Sequence, residues 1–223
     1  MPRTPHSESP AQGTTLQLDH IVVASLTLEE GVAHVERCLG VIVPPGGEHP
    51  SMGTHNHVMR LGDEIYLEII SPNPKAHPQR PRWFGLDRSE LLAQLKLAPR
   101  LITWVVRVPD LEAASQNMPE AGEVVRASRG DLSWLISVPA SGAMPFDGAF
   151  PTLIQWPDGP HPSERMVDLG CRLRRLEVAH PYANLIRGRL SSDFEDRRIR
   201  LLDESQVRLR AEIMTPTGLC DLI

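Results

Sequence analysis

Long apolar runs, a basic surplus and paired cysteines are all missing from this chain, and aromatic rings are few at 4%. Each shortage removes a class of protein. No apolar stretch approaches the roughly 20 residues of a membrane-crossing helix, so no membrane partner is expected. The 28 acidic residues outnumber the 23 lysines and arginines, for a net charge of −5. That balance leaves no electrostatic footprint for nucleic acid or an anionic lipid surface. Arginines do gather between Arg172 and Arg175 and between Arg197 and Arg200, but acidic neighbours such as Glu195 and Asp196 mark a solvated face. Cys38, Cys171 and Cys220 are scattered, odd in number and without metal-type spacing, which points to reduced thiols in a cytoplasmic protein. Gly46-Gly47 and Asp158-Gly159-Pro160 are not followed by the Lys-Ser/Thr of a phosphate loop, and Ser141-Gly142 lacks the frame of a nucleophile elbow.

At 223 residues the chain is long enough to bury a sizeable core in one large or two joined units. Residues 1–15, rich in Pro, Ser, Thr and Gly, read as a disordered tail rather than a signal peptide. An apolar strand follows, Leu18-Asp19-His20-Ile21-Val22-Val23-Ala24. Thr27-Leu28-Glu29-Glu30 has the form of a helix capping box. Leu28, Val32, Val35 and Leu39 form one apolar stripe, and Gly40 can end the helix in the left-handed conformation. Val41-Ile42-Val43 reads as a short strand broken by Pro44-Pro45-Gly46-Gly47. Strands over His55 to Leu61 and Ile65 to Ile70 complete the unit. Alternation puts Tyr66, Glu68 and Ile70 on one face and Leu67 and Ile69 on the other.

A proline-interrupted crossover and a helix after Asp87 lead to an internal repeat. Leu101-Ile102-Thr103-Trp104-Val105-Val106 aligns without gaps under Leu18 to Val23, and Asp110 falls where Thr27 caps the first helix. Strands are expected near Glu123 to Ala127, Leu132 to Val138 and Pro151 to Trp156, with Gln155 near the place of Glu68. A third echo opens at Leu173, with strands near Arg198 to Asp203 and Gln206 to Met214. It suits the covering of a sheet edge or a homodimer interface. The expected organisation is α+β, with a tail at 1–15, a first βαβββ module at 16–72 and a linker with a helix at 73–100. A second βαβββ module at 101–160 and a partial βαββ module at 161–223 follow.

His20 and Glu68 each stand alone as possible ligands in an apolar strand, so the chemistry rests on both pointing into one hollow. Imidazole and carboxylate suit zinc, manganese, iron or nickel and leave positions open for substrate oxygens. A third ligand could come from His57 or Gln155. Without a metal, Glu68 becomes a general base with His20 as its partner, and the plainest reading is a hydrogen-bonded structural pair. His49 and His55 lie before the third strand and could close over a ligand, although loop histidines are commonly solvated; His161 and His180 read as turn and cap residues. Tyr66, Trp134 and Trp156 are candidate cleft or core aromatics.

The tandem modules, Leu18-Asp19-His20-Ile21-Val22-Val23, Gly53-Thr54-His55-Asn56 and Tyr66-Leu67-Glu68-Ile69-Ile70 resemble the vicinal oxygen chelate superfamily, and more narrowly its glyoxalase-like domain proteins. The resemblance implies paired βαβββ modules whose curved sheets form a cleft, in which members hold a divalent metal and chelate neighbouring substrate oxygens. It carries ligand roles to His20 and Glu68, and to the Thr103 and Gln155 positions, where neither residue is a usual ligand. It also implies a small, oxygen-rich ligand, which Thr103 and Gln155 would contact by the resemblance and His55, His57 and Tyr66 by their places in the loop and strands. The reaction would be isomerase, lyase or dioxygenase chemistry, or the protein would be a binding module without catalysis.

Overall fold

The computed structural model describes residues 16–190, 194 and 196–223. The tail expected at 1–15 and Glu195 lie outside the described residues. The first unit runs β1 (Gln17–Ala24), α1 (Leu28–Leu39), β2 (Pro45–His49), β3 (Thr54–Gly62) and β4 (Ile65–Pro72). A 3-10 turn at Trp83–Gly85 and α2 (Ser89–Leu95) lead to β5 (Arg100–Arg107), α3 (Leu111–Asn117), β6 (Glu123–Arg129), β7 (Leu132–Val138) and β8 (Thr152–Gln155). The last unit is β9 (Arg172–His180), α4 (Ala183–Leu190), β10 (Ile199–Asp203), β11 (Arg208–Thr215) and β12 (Gly218–Leu222). Among the described residues no helix is long and apolar enough to cross a membrane.

Local chemistry sets the helix ends. The Thr27 hydroxyl accepts from the Glu30 backbone N–H and Gly40 takes φ 69°, so α1 begins and ends where the cap residues place it. Asp110 caps α3 in the same way through the Ala113 N–H.

Eight strands form one curved, nearly closed sheet in the order β2-β3-β4-β1-β5-β8-β7-β6. In each half the first strand runs parallel to the last, β1 with β4 and β5 with β8, and antiparallel pairing of β1 with β5 joins the halves. The outer edges approach one another where the Arg129 side chain of β6 lies over Gly47 of β2. Alternation then sorts the apolar residues. Ile21, Val23, Leu67 and Ile69 face outward into a core shared with Val35 and Leu39 of α1, while Val22, Ile70, Ile102, Ile136 and Ile154 face into the cup.

Two elements depart from expectation. Residues 41–43 do not form a strand; β2 forms instead over Pro45–His49, with a register irregularity between Pro45 and Gly47. An edge strand tolerates Pro45 because no outer neighbour needs its missing N–H. The third unit has three strands after its helix, and its order, β10-β9-β11-β12, differs from the other two because β9 takes the strand directly after the helix as its parallel partner. Rather than capping a sheet edge, it packs Leu176, Val178, Ile213 and Leu222 into the outer core beside α1. Two of its arginines pair with neighbouring acids, Arg172 with Asp168 and Arg198 with Asp196.

Candidate functional site

A bulge in β1 builds the floor of the cup. The β1–β5 register slips between Leu18 and His20, which breaks the two-residue alternation and turns Asp19 and His20 toward the same interior. Asp19 is fully buried and is the hub. Its Oδ1 accepts from His20 Nδ1 at 2.6 Å, and its Oδ2 accepts from Trp156 Nε1 at 2.8 Å and from His161 Nε2 at 3.0 Å. Burial raises the carboxyl's proton affinity, yet the hydrogen bonds from His161 and His20 outweigh it and hold Asp19 well below the usual carboxylate range. An ionised Asp19 only accepts, so His20 carries its hydrogen on Nδ1 and, in the neutral ring, presents a bare Nε2 to the hollow.

Glu68 and Tyr66 come from β4, one strand over. Glu68 Oε2 lies 3.6 Å from His20 Nε2, too long for a direct hydrogen bond and short enough for both to reach one ligand atom. Tyr66 stacks on His20 with ring centroids 4.3 Å apart and an interplanar angle of 19°. Burial, followed by the charges of Asp19 and Glu68, pushes the Tyr66 hydroxyl well above its ordinary range.

Asn56 of β3 fixes Glu68. Its Nδ2 donates to Glu68 Oε1 at 2.6 Å, while its Oδ1 accepts from Gly47 N–H at 3.0 Å and from Arg129 Nη1 at 3.2 Å. Those partners settle which end of the amide is which. The glycines of β2 make room: a Cβ on Gly46 would stand 2.3 Å from Asn56 Oδ1, and one on Gly47 would stand 2.8 Å from Arg129 Cγ. His49 is buried beside them, donating Nδ1–H to Thr54 Oγ1 at 2.9 Å and meeting Asn56 Nδ2 at 3.4 Å through Nε2. Burial, with the nearby Arg129 cation, pushes His49 down to about 3, so its ring is neutral at ordinary pH.

The hollow above these groups has a volume of about 20 Å³, room for roughly one water. Trp83, Phe84, Trp134 and Trp156 wall it, and Arg129 stands on its rim among Ile136 and Ile154. A wider cavity of about 430 Å³ lies elsewhere, between α2, residues 143–147 and the start of β11. Its arginines are already engaged, Arg88 by Glu90, Arg100 by Gln94 and Arg208 by Glu204.

The hollow brings together His20, Tyr66 and Glu68 and leaves out four other candidates. His55 and His57 sit on the α1 side of β3, near Glu29, and His57 Nδ1 donates to the Val43 carbonyl at 2.7 Å. Thr103 donates its hydroxyl to the Gly148 carbonyl at 3.2 Å. The Gln155 side-chain oxygen accepts the Leu111 N–H at 2.8 Å and so closes the start of α3. Conversely, Asp19, Asn56 and Arg129 belong to the site without having been singled out. His49 is buried rather than solvated. His161 caps its turn through Ser163 N–H, as expected, and also reaches Asp19.

Two donors, His20 Nε2 and Glu68 Oε2, converge here, whereas a catalytic ion normally draws about three from the protein. Among the described residues no group of three or more His, Cys, Asp and Glu is placed to hold a metal, and the Arg129 cation faces the same hollow. The residues present therefore do not fit a resident divalent metal. They do fit proton transfer: one imidazole oriented by a buried carboxylate, and one carboxylate oriented by an amide.

The chain resembles several solved structures. A hypothetical protein from Staphylococcus aureus is 16% identical and aligns over 86% of this chain and 88% of its own, with a TM-score of 0.57. Methylmalonyl-CoA epimerase from Streptomyces coelicolor, an S115T form in complex with 2-nitronate-propionyl-CoA, is 16% identical over 67% of this chain and 100% of its own, at 0.44. The Mycobacterium tuberculosis epimerase is 18% identical over 65% and 89%, at 0.42. No curated protein matches the sequence. The family described as a glyoxalase-like domain matches residues 18–194, and with the paired βαβββ halves this places the chain in the glyoxalase-like domain family of the vicinal oxygen chelate superfamily.

Proposed function

We propose that the cup binds a small, oxygen-bearing organic molecule and that His20 and Glu68 move a proton on it, as isomerase or lyase chemistry beside a carbonyl requires. The observation that carries this reading is the 3.6 Å approach of His20 Nε2 to Glu68 Oε2, each fixed from behind, by Asp19 and by Asn56. Asp19 holds the His20 Nδ1–H and leaves Nε2 as acceptor. Asn56 occupies Glu68 Oε1 and leaves Oε2 free. A ligand hydroxyl or acidic C–H placed between them has a base on either side, and the aromatic walls exclude water from the transfer.

The test is solvent-deuterium exchange. Small oxo and hydroxy compounds are incubated with the protein in D2O, and loss of their C–H signals is followed by NMR. The wild type is expected to catalyse exchange, and Glu68→Gln and His20→Asn to reduce it by about 100-fold or more. Binding of these compounds without exchange would instead support a non-catalytic binding module. Elemental analysis of protein purified without chelator provides a second check. Stoichiometric metal that disappears in His20→Ala would replace the proton-transfer reading with a metal-dependent one.

A further inference from the structure

Among the described residues, two buried indole N–H groups at the hollow lack an acceptor, and a half-buried arginine beside them lacks an acid. Arg129 makes one hydrogen bond, to Asn56 Oδ1, and among the described residues no carboxylate lies within ion-pair distance of it. Several other arginines are paired with acids, as Arg172 is with Asp168 and Arg210 with Asp221. The indole N–H groups of Trp83 and Trp134 are buried without an acceptor, in side chains only 3% and 6% exposed. Both rings line the same hollow as Arg129. A buried donor without a partner is uncommon in a folded protein, and here two of them share one small space with an unpaired cation.

The distribution of aromatic rings adds shape to this chemistry. The chain has four Trp, two Tyr and four Phe, and Trp83, Trp134, Trp156, Tyr66 and Phe84 all line this hollow. Half of the scarce rings are thus spent on one small surface. Flat apolar walls receive a flat apolar body.

From these observations we infer that the ligand is a carboxylate on a planar, apolar body. Its carboxylate pairs with Arg129 and takes the Trp83 and Trp134 N–H groups as further donors, and its remaining oxygen or acidic C–H is presented to His20 and Glu68. This rests on the reading of the cup as a small-molecule site and adds the ligand's charge and shape. A guanidinium suits a carboxylate because its fork offers two parallel N–H donors. A volume near 20 Å³ does not hold such a molecule, so the aromatic walls must part to admit it. Phe84, held at φ 56° beside Trp83, is the strained point in that wall.

Three of the four tryptophans line the hollow, so intrinsic fluorescence reports its occupation. Benzoate, phenylacetate, mandelate and phenylglyoxylate are titrated against the wild type, each beside its primary amide. At least one acid is expected to quench saturably and to bind about 10-fold or more tightly than its amide. Arg129→Met is expected to remove that preference, and Trp134→Phe, which keeps a ring and deletes the N–H, to weaken the acid alone. Arg129 also bridges β6 to Asn56, so Arg129→Lys, which retains the charge, is measured in parallel and is expected to keep part of the preference. Equal binding of acid and amide by the wild type, or an acid preference that survives in Arg129→Met, would overturn the carboxylate assignment while leaving the small-molecule site standing. Failure of every acid and every amide to bind would count against both.

Discussion

His20 and Thr103 stand at corresponding places in the two halves of the eight-stranded sheet, each in the first strand of its half and ahead of a capped helix, yet their side chains are held by different partners. His20 is turned into the cup and held ready by Asp19. Thr103 is tied to the Gly148 carbonyl. Glu68 and Gln155, in the closing strands, repeat the contrast: one faces His20, and the other closes the start of α3. The second half contributes Trp134, Trp156 and Arg129 instead. A repeated scaffold has thus been divided: His20, Tyr66 and Glu68 come from one half, Trp134, Trp156 and Arg129 from the other, and Trp83 and Phe84 from the crossover between them.

The largest test of this division is Asp19→Ala. It removes the acceptor for the buried His20 and His161 and the half-buried Trp156 and is expected to cost about 3–5 kcal/mol in urea unfolding. Thr103→Val should cost about 1 kcal/mol and leave ligand binding unchanged; lost binding would put chemistry in the second half as well. Asp19 also sets an acid limit. Its folded pKa is depressed, so its contribution is fully present above the ordinary value of 3.8 and is lost as pH falls toward the lowered one. Asp19→Asn should flatten the stability profile there.

Gly46→Ala is a smaller but more pointed probe. The new Cβ would press on Asn56 Oδ1 from 2.3 Å, forcing a shift expected to cost about 1–3 kcal/mol and to loosen Glu68 with it. Calorimetric stability and tryptophan quenching by an acid should therefore fall together. If stability falls and quenching survives, Asn56 does not position Glu68.

The effect expected at His49 shows only against pH. Its folded pKa of about 3 lies below the ordinary 6.5, so between those values the unfolded chain binds a proton that the folded one refuses. Stability should decline as pH falls from 6.5 toward 3, by up to about 1.4 kcal/mol per pH unit. His49→Gln should reduce that slope, as urea midpoints at pH 7 and pH 5 would record.

Much of the architecture is legible in the residues because it is local. Thr27, Gly40 and Asp110 mark helix ends through their own side chains or φ angles, and alternation in Ile65 to Ile70 separates Glu68 from Leu67. The opposition of His20 to Glu68 follows from the same alternation. What stays hidden depends on distant partners. Two adjacent polar residues in an apolar strand, Asp19-His20, hint at the β1 bulge, but only pairing with β5 creates it. Asn56 and Arg129 lie 73 residues apart, and Gly46 and Gly47 read as a turn until the side chains that lie against them are placed. His57 reads as an interior residue because it alternates with Met59 and Leu61, and that pattern is real, but it describes the α1 side of the sheet.

The central claim, that His20 faces the ligand with a bare Nε2 opposite Glu68, is tested most directly by 15N NMR of the imidazole during titration with phenylglyoxylate. The His20 ring is expected to be protonated at Nδ1, with an Nε2 resonance that moves in step with tryptophan quenching in the wild type and in Thr103→Val. An Nε2 resonance that stays fixed while the fluorescence reports a filled hollow would contradict it.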